Sequence, residues 1–321
     1  MSHVTPTAAD AVGAALPFHQ KWWTYQRERF PLLGHGLLIA SFSFCAVSLS
    51  RMLRDEAGWP AWPQLIVAFG TCFTFFLQLR LADEFKDYHE DMKFRPYRPV
   101  QRGLVTLREL GVLFVLCGLF QLLLALWLDP KLIVLLAVTW VYLALMSKEF
   151  FVEEWLRNRH VLYMVSHMVI MPLVDLYATS SDWLPVQNHA PTGLIWFLLA
   201  SYFNGIVIEL GRKIRSPMDE EHGVSTYSIL WGRSGAVAAW WGAMLMTALF
   251  AIVVAVRLNQ WVSIGVVLAT FLLIAGFVGI LFLRSPVQKR GNYIETCSGL
   301  WTITLYLSLG LLPHFLQRSG Q

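Results

Sequence analysis

The chain has 321 residues, of which 56% are hydrophobic and 14% charged, with a mean hydropathy of +0.52 and a net charge of +4. A soluble globular protein carries about 25% charged residues, so the composition excludes a soluble fold and predicts an all-α integral membrane protein. The Lys and Arg residues gather at the ends of apolar runs and not along one soluble face, which excludes nucleic acid as a partner.

Residues 1–17 read as an arm that lacks the basic start and apolar core of a cleavable signal peptide. From Phe18 to Phe30, aromatic residues alternate with Lys21, Arg27 and Arg29, the pattern of an amphipathic interfacial helix. Residues 1–31 are therefore expected to form an arm and interfacial helix, 32–316 a membrane domain, and 317–321 a tail. Apolar runs follow at about 32–50, 61–82, 107–128, 131–147, 160–179, 192–211, 234–256, 261–283 and 293–315. A spanning helix needs ~20 residues, so nine spans are expected. Asp129-Pro130 makes the tight hairpin before the shortest run. Cys45, Cys72, Cys117 and Cys297 lie in or beside apolar runs without metal-ligand spacing and read as buried free thiols.

Loop charge orients the bundle. With nine spans, one face would hold nineteen Lys and Arg residues and the other five. Cytoplasmic loops carry the excess of basic residues, so the N-terminus and the loops 83–106 and 212–233 are expected on the cytosolic face, with the C-terminus opposite. Those two charged loops would form a cytosolic-facing cap.

Residues 80–103 read RLADEFKDYHEDMKFRPYRPVQRG. Asp83, Asp87 and Asp91 recur at every fourth position, so on a helix they stack into one acidic stripe whose like charges repel unless something cationic lies against them. Lys93, Arg95, Arg98 and Arg102 follow, with Pro96 and Pro99 ending the helix. Carboxylates on one face at the end of a membrane helix suit a hard cation such as Mg²⁺. A second polar cluster spans 204–232, with Asn204, Glu209, Arg212, Lys213, Arg215, Asp219, Glu220 and Glu221. Glu209 and Lys213 also stand at the spacing of a simple i,i+4 ion pair. Lys148, Glu149, Glu153 and Glu154 read as a solvated helix end, and His167 and Asp175, inside a span, as hydrogen-bonded core residues. Two carboxylate clusters on one face can hold metal ions that bridge a diphosphate, while Lys and Arg neutralise its charge as it leaves. An apolar bundle below would house a hydrophobic tail. Together these features describe ionisation of an allylic isoprenyl diphosphate.

These residues resemble the UbiA-type intramembrane prenyltransferases over about residues 30–315. Asp83-x-x-x-Asp87-x-x-x-Asp91 looks like the family's first signature. Arg98, Pro99 and Gly103 look like the loop that follows it, and Tyr142 with Lys148 like its Tyr and Lys before the fifth helix. Asp219-x-x-x-Gly223-x-x-Thr226, ending at Gly232, resembles the second signature, except that Arg215 stands where a further aspartate is usual. The resemblance implies Mg²⁺-dependent transfer of an isoprenyl chain from its diphosphate to a lipophilic acceptor. It implies Asp83, Asp87 and Asp91 for a first metal, and Asp219 with Glu209 for a second. Arg95, Arg102, Lys148, Arg212, Lys213 and Arg215 would bind the diphosphate. Either Glu209 replaces the absent aspartate, or Arg215 grips the diphosphate directly and fewer metals bind. Two other readings remain: a terpene cyclase on the same fold, and an ion or solute transporter, although the charges sit at helix ends and not mid-span. The Asp-Gly and Ala-Arg spacing of a CDP-alcohol phosphotransferase is missing.

Overall fold

The computed structural model describes residues 16–318, and among these it contains helices and no strand. Most of the expected N-terminal arm and the last three residues of the expected tail lie outside the described residues. Helix α1 (Phe18–Arg29) precedes the bundle, which continues through α2 (Leu32–Leu53), α3 (Trp62–Lys86), the short α4 (Tyr88–Phe94), α5 (Leu107–Leu128) and α6 (Leu132–Ser147). Next come α7 (Glu153–Arg157), α8 (His160–Met168), α9 (Ile170–Trp183) and α10 (Leu194–Arg212). The chain closes with α11 (Tyr227–Leu230), α12 (Gly232–Arg257), α13 (Trp261–Arg284), α14 (Gly291–Gly310) and α15 (Leu312–Arg318).

Local chemistry sets the helix ends. Thr106 caps α5 reciprocally with Glu109, accepting from its N–H at 3.2 Å while the Glu109 carboxylate accepts from the Thr106 N–H at 2.8 Å. The α5–α6 hairpin is closed by the Lys131 N–H donating to Asp129 Oδ1 at 2.8 Å. Helices α8 and α9 form one rod broken at Val169, just before Pro172, which has no N–H to give.

Seven described helices are long and apolar enough to cross a membrane: α2, α3, α5, the α8–α9 rod, α10, α12 and α13. Two of the nine expected spans fall outside that group. Helix α6 has 16 residues. Helix α14 has 20, but it is an inner helix whose polar side chains answer buried groups on its neighbours. Ser298 accepts from Trp240 Nε1 at 2.8 Å, Thr302 donates to Asn204 Oδ1 at 3.1 Å, and Tyr306 donates to Asp175 Oδ2 at 2.5 Å. Hydrocarbon offers no water to such groups, so they must pair across helices. Gln121 meets the same need elsewhere, donating to Gln78 at 2.8 Å and accepting from Trp140 at 2.6 Å. The four cysteines are buried and free. Outward-facing Val115, Leu119 and Leu123 on α5, and Val266, Leu273 and Phe277 on α13, are exposed and present an apolar surface to lipid.

Candidate active site

The ends of α3, α6 and α10 and the starts of α8 and α14 meet at one end of the bundle and form a polar mouth. On its first wall, Asp87 sits at the joint between α3 and α4. The Asp87 N–H donates to the Asp83 carbonyl at 2.9 Å and the Asp91 N–H to the Asp87 carbonyl at 2.8 Å, so the helical path crosses the joint and keeps the acidic stripe in line.

The three aspartates differ in their surroundings. Asp91 is 2% exposed and clamped by Arg95, with Nη1 at 3.2 Å, and by Arg98. Asp83 is half-exposed and has only Arg80 Nη1 at 3.4 Å. Asp87 makes no side-chain hydrogen bond or ion pair among the described residues. Its carboxyl is pushed up to about 6 by burial and by the neighbouring charges of Asp83, Asp91 and Glu90. Two carboxylates one turn apart, short of a counter-charge, fit a divalent cation with oxygen ligands. Among the described residues no three His, Cys, Asp or Glu groups lie close enough together to hold a metal ion as they stand.

On the second wall, Glu209 is 7% exposed and accepts from both cations expected beside it: Arg212 Nη2 reaches Oε2 at 2.7 Å and Lys213 Nζ reaches Oε1 at 2.7 Å. The i,i+4 pair is therefore present, and Glu209 holds cations where the missing-ligand reading would have it face a metal. Arg212 is half-exposed and lies in the field of Asp83 and Glu295, so it faces the first wall. Arg215 turns toward α14, with Nη1 3.3 Å from Asn292 Oδ1 and 3.5 Å from Glu295 Oε2. Asp219 accepts from the Lys289 N–H at 2.6 Å, tied to the loop before α14. Glu220, not Asp219, receives the Thr226 hydroxyl, with both oxygens at 2.8 Å.

The two sequence clusters join at the rim. Arg95 Nε lies 3.4 Å from Glu221 Oε2, and Tyr97 donates to the same oxygen at 3.5 Å. Gly223 has φ +79° and lies against Phe94, whose ring would be 2.5 Å from an added Cβ, so backbone and ring both demand glycine there. Arg102 is drawn to α1, meeting Glu28 at 2.9 and 2.8 Å. Arg29 of α1 pairs with fully buried Glu84, next to Asp83 in the stripe. Helix α1 thus grips the first wall from behind, with Tyr25 buried among Leu81, Val100 and Leu104.

The third wall was the least legible from sequence. Lys148 is exposed and makes no ion pair among the described residues. Glu149, read with it as a solvated helix end, is buried instead. It is paired with Lys86, accepts from Tyr163 at 3.1 Å, and lies 3.1 Å from His167 Nε2. Burial alone would raise the Glu149 carboxyl, but His167 and Lys86 hold it down to about 2. Glu153 and Glu154 are exposed, as expected. The mouth therefore adds Lys86, Tyr163 and Glu295 to the expected set and gives Glu221 of the second cluster a partner in Arg95. The three additions carry no local signal, because each meets a partner more than sixty positions away.

Three comparisons bear on this arrangement. A model of the UbiA prenyltransferase family matches residues 41–294. No curated protein matches the sequence significantly. Among solved structures, a digeranylgeranylglyceryl phosphate synthase described in membranes superposes with a TM-score of 0.60 at 12% identity, covering 92% of this chain and 99% of that one. The apo structure of a UbiA homolog from Aeropyrum pernix K1 superposes with a TM-score of 0.61 at 15% identity, covering 88% and 98%. At such identities these neighbours show the fold alone.

Proposed function

Because the chain belongs to the UbiA prenyltransferase family, we propose that it ionises an allylic isoprenyl diphosphate at the polar mouth and transfers the chain to a lipophilic acceptor. The observation that carries this reading is the pair Asp83 and Asp87, two carboxylates one turn apart without a full counter-charge, with Arg212 in the field of Asp83 across the mouth. Asp83 and Asp87 would hold Mg²⁺, which supplies positive charge to diphosphate oxygens. Opposite them, Glu209 orients Arg212 and Lys213 toward the diphosphate. As the C1–O bond breaks, its electron pair goes to the diphosphate, whose growing charge these cations stabilise. The acceptor then bonds to C1 of the allylic cation and gives up a proton.

Within this reading Asp91 serves the loop and not the metal, since Arg95 and Arg98 occupy it. Arg95 and Tyr97 keep the 217–224 segment against the first wall through Glu221. Arg215 and Asp219 brace the second wall on α14 and its preceding loop. The membrane domain is completed to nine spans by α6 and α14. The N-terminus and the mouth face the cytoplasm, as the excess of basic residues on that face supports.

The test is release of diphosphate from geranylgeranyl or farnesyl diphosphate with Mg²⁺, by wild type and by Asp87→Ala. Wild type should release diphosphate and Asp87→Ala, though folded, should not. Wild-type turnover by Asp87→Ala refutes the metal assignment. Cyclic hydrocarbon formed without added acceptor replaces the transferase with a cyclase, and ion flux in proteoliposomes without any diphosphate release replaces both with a transporter.

A further inference from the structure

Between α6 and α7, three successive residues without glycine's freedom adopt positive φ: Glu149 at 47°, Phe150 at 54° and Phe151 at 61°. Left-handed backbone costs roughly 1–2 kcal/mol per L-residue. It persists only where the surroundings over-determine it, which makes such a segment a pointer to function. Burial of Phe151 does not explain this turn, because that residue is 79% exposed. What the turn achieves is the placement of Glu149, whose carboxylate points into the cluster with Lys86, Tyr163 and His167. Phe150 covers that cluster, its ring edge-on to both Tyr142 and His167.

Within the cluster every orientation is fixed. The His167 ring stacks on Tyr163 with centroids 4.0 Å apart, and its Nδ1 is 2.8 Å from the Tyr163 carbonyl. Tyr163 donates to Glu149 and accepts from Lys86 Nζ at 2.5 Å. Lys86 has three N–H donors. Glu149 and Tyr163 take two, and the third has no partner among the described residues. Lys86 adjoins Asp87, and both Lys86 and Tyr163 share the electrostatic surroundings of that carboxylate, so the ammonium lies beside one member of the carboxylate pair.

We infer that Lys86 is a diphosphate-binding residue and that Glu149, held by the left-handed turn, is its positioning residue. The inference rests on the diphosphate reading above. It moves to Lys86 the part that the sequence assigned to exposed Lys148. A flexible ammonium is a compact point charge whose value depends on where it is held. Anchoring two of its three protons aims the third and removes most of the entropy that an anion would otherwise have to take from the side chain.

The experiment measures binding of inorganic diphosphate with Mg²⁺ by calorimetry, together with KM and kcat for farnesyl or geranylgeranyl diphosphate. It compares wild type with Lys86→Met, Glu149→Gln and the double variant. A hydrogen bond to a charged group is strong enough that each single variant should weaken diphosphate binding about tenfold and lower kcat/KM by at least as much. The double variant should lose no more than Lys86→Met alone, because Glu149 acts through Lys86. Wild-type affinity in Glu149→Gln, even with a lowered melting temperature, overturns the proposal, as do losses that add in full. If Glu149→Gln does not fold, Tyr163→Phe removes one anchor of Lys86 while keeping the ring. A several-fold loss of affinity is then expected, and wild-type affinity overturns the proposal. Failure of wild type itself to bind diphosphate would sink the functional reading, whereas wild-type binding with unaffected variants sinks only this inference.

Discussion

Acid should weaken the fold through Glu149 in a way that one substitution isolates. An unfolded glutamate titrates near 4.5, and in the fold Glu149 is held down to about 2 by His167 and Lys86. A depressed folded-state pKa contributes stability that is complete above the unfolded value and is lost as pH falls toward the folded one. The gap is worth on the order of 3 kcal/mol, of which about 2 kcal/mol is gone by pH 3. Glu149→Gln keeps the shape and cannot titrate, so it should start less stable at pH 7 and lose less between pH 6 and pH 3. Other carboxylates titrate equally in both proteins and cancel in the comparison. Thermal unfolding in a nonionic detergent, followed by near-ultraviolet circular dichroism, should show a difference of several degrees at pH 7 that mostly closes by pH 3. Curves that stay parallel across that range would mean that Glu149 is not held ionised by its partners, and the argument for its buried pairing fails.

Two further outcomes probe how the mouth is supported. Arg29→Met strands the Glu84 carboxylate in a fully buried position and should cost about 3–5 kcal/mol, most of it recovered by adding Glu84→Gln, as read by the same melts. A single variant as stable as wild type would show that α1 does not grip the first wall. Gly211→Ala would place a Cβ 2.0 Å from Ser298 Oγ, which already serves Trp240, so α10 and α14 must part. A loss of about 1–3 kcal/mol and slower diphosphate release are expected, and unchanged values for both would show that the second wall does not depend on this close approach.

Much of the site was legible because it is local. Asp83, Asp87 and Asp91 align through the i,i+4 geometry of one helix, and Glu209 meets Arg212 and Lys213 within a single turn. A helical period needs no tertiary information. The assignment of partners was not local. Asp91 stands in line with its two neighbours, and the chain reversal at Pro96 and Pro99 brings Arg98 back onto it. Arg102 meets Glu28 on α1. Glu149 stands beside exposed residues in sequence, and only a left-handed turn, invisible to any periodicity, points it inward.

The sequence by itself determined the solvent and the class of chemistry. Its 14% of charged residues and its long apolar runs require a helical membrane protein, because hydrocarbon tolerates no unpaired backbone. The spacing of its acidic residues stacks Asp83, Asp87 and Asp91 in line at a helix end. Only the tertiary structure decided which charges remain available there. Some charges at the mouth are met within their own helix turn, as Glu209 is by Arg212 and Lys213, and others by a partner from a distant element, as Glu149 is by Lys86 and Glu84 by Arg29. Packing leaves Asp87 without an ion pair and Asp83 with Arg80 alone among the described residues, and sets two cations, Arg212 and Lys213, on the one carboxylate of Glu209.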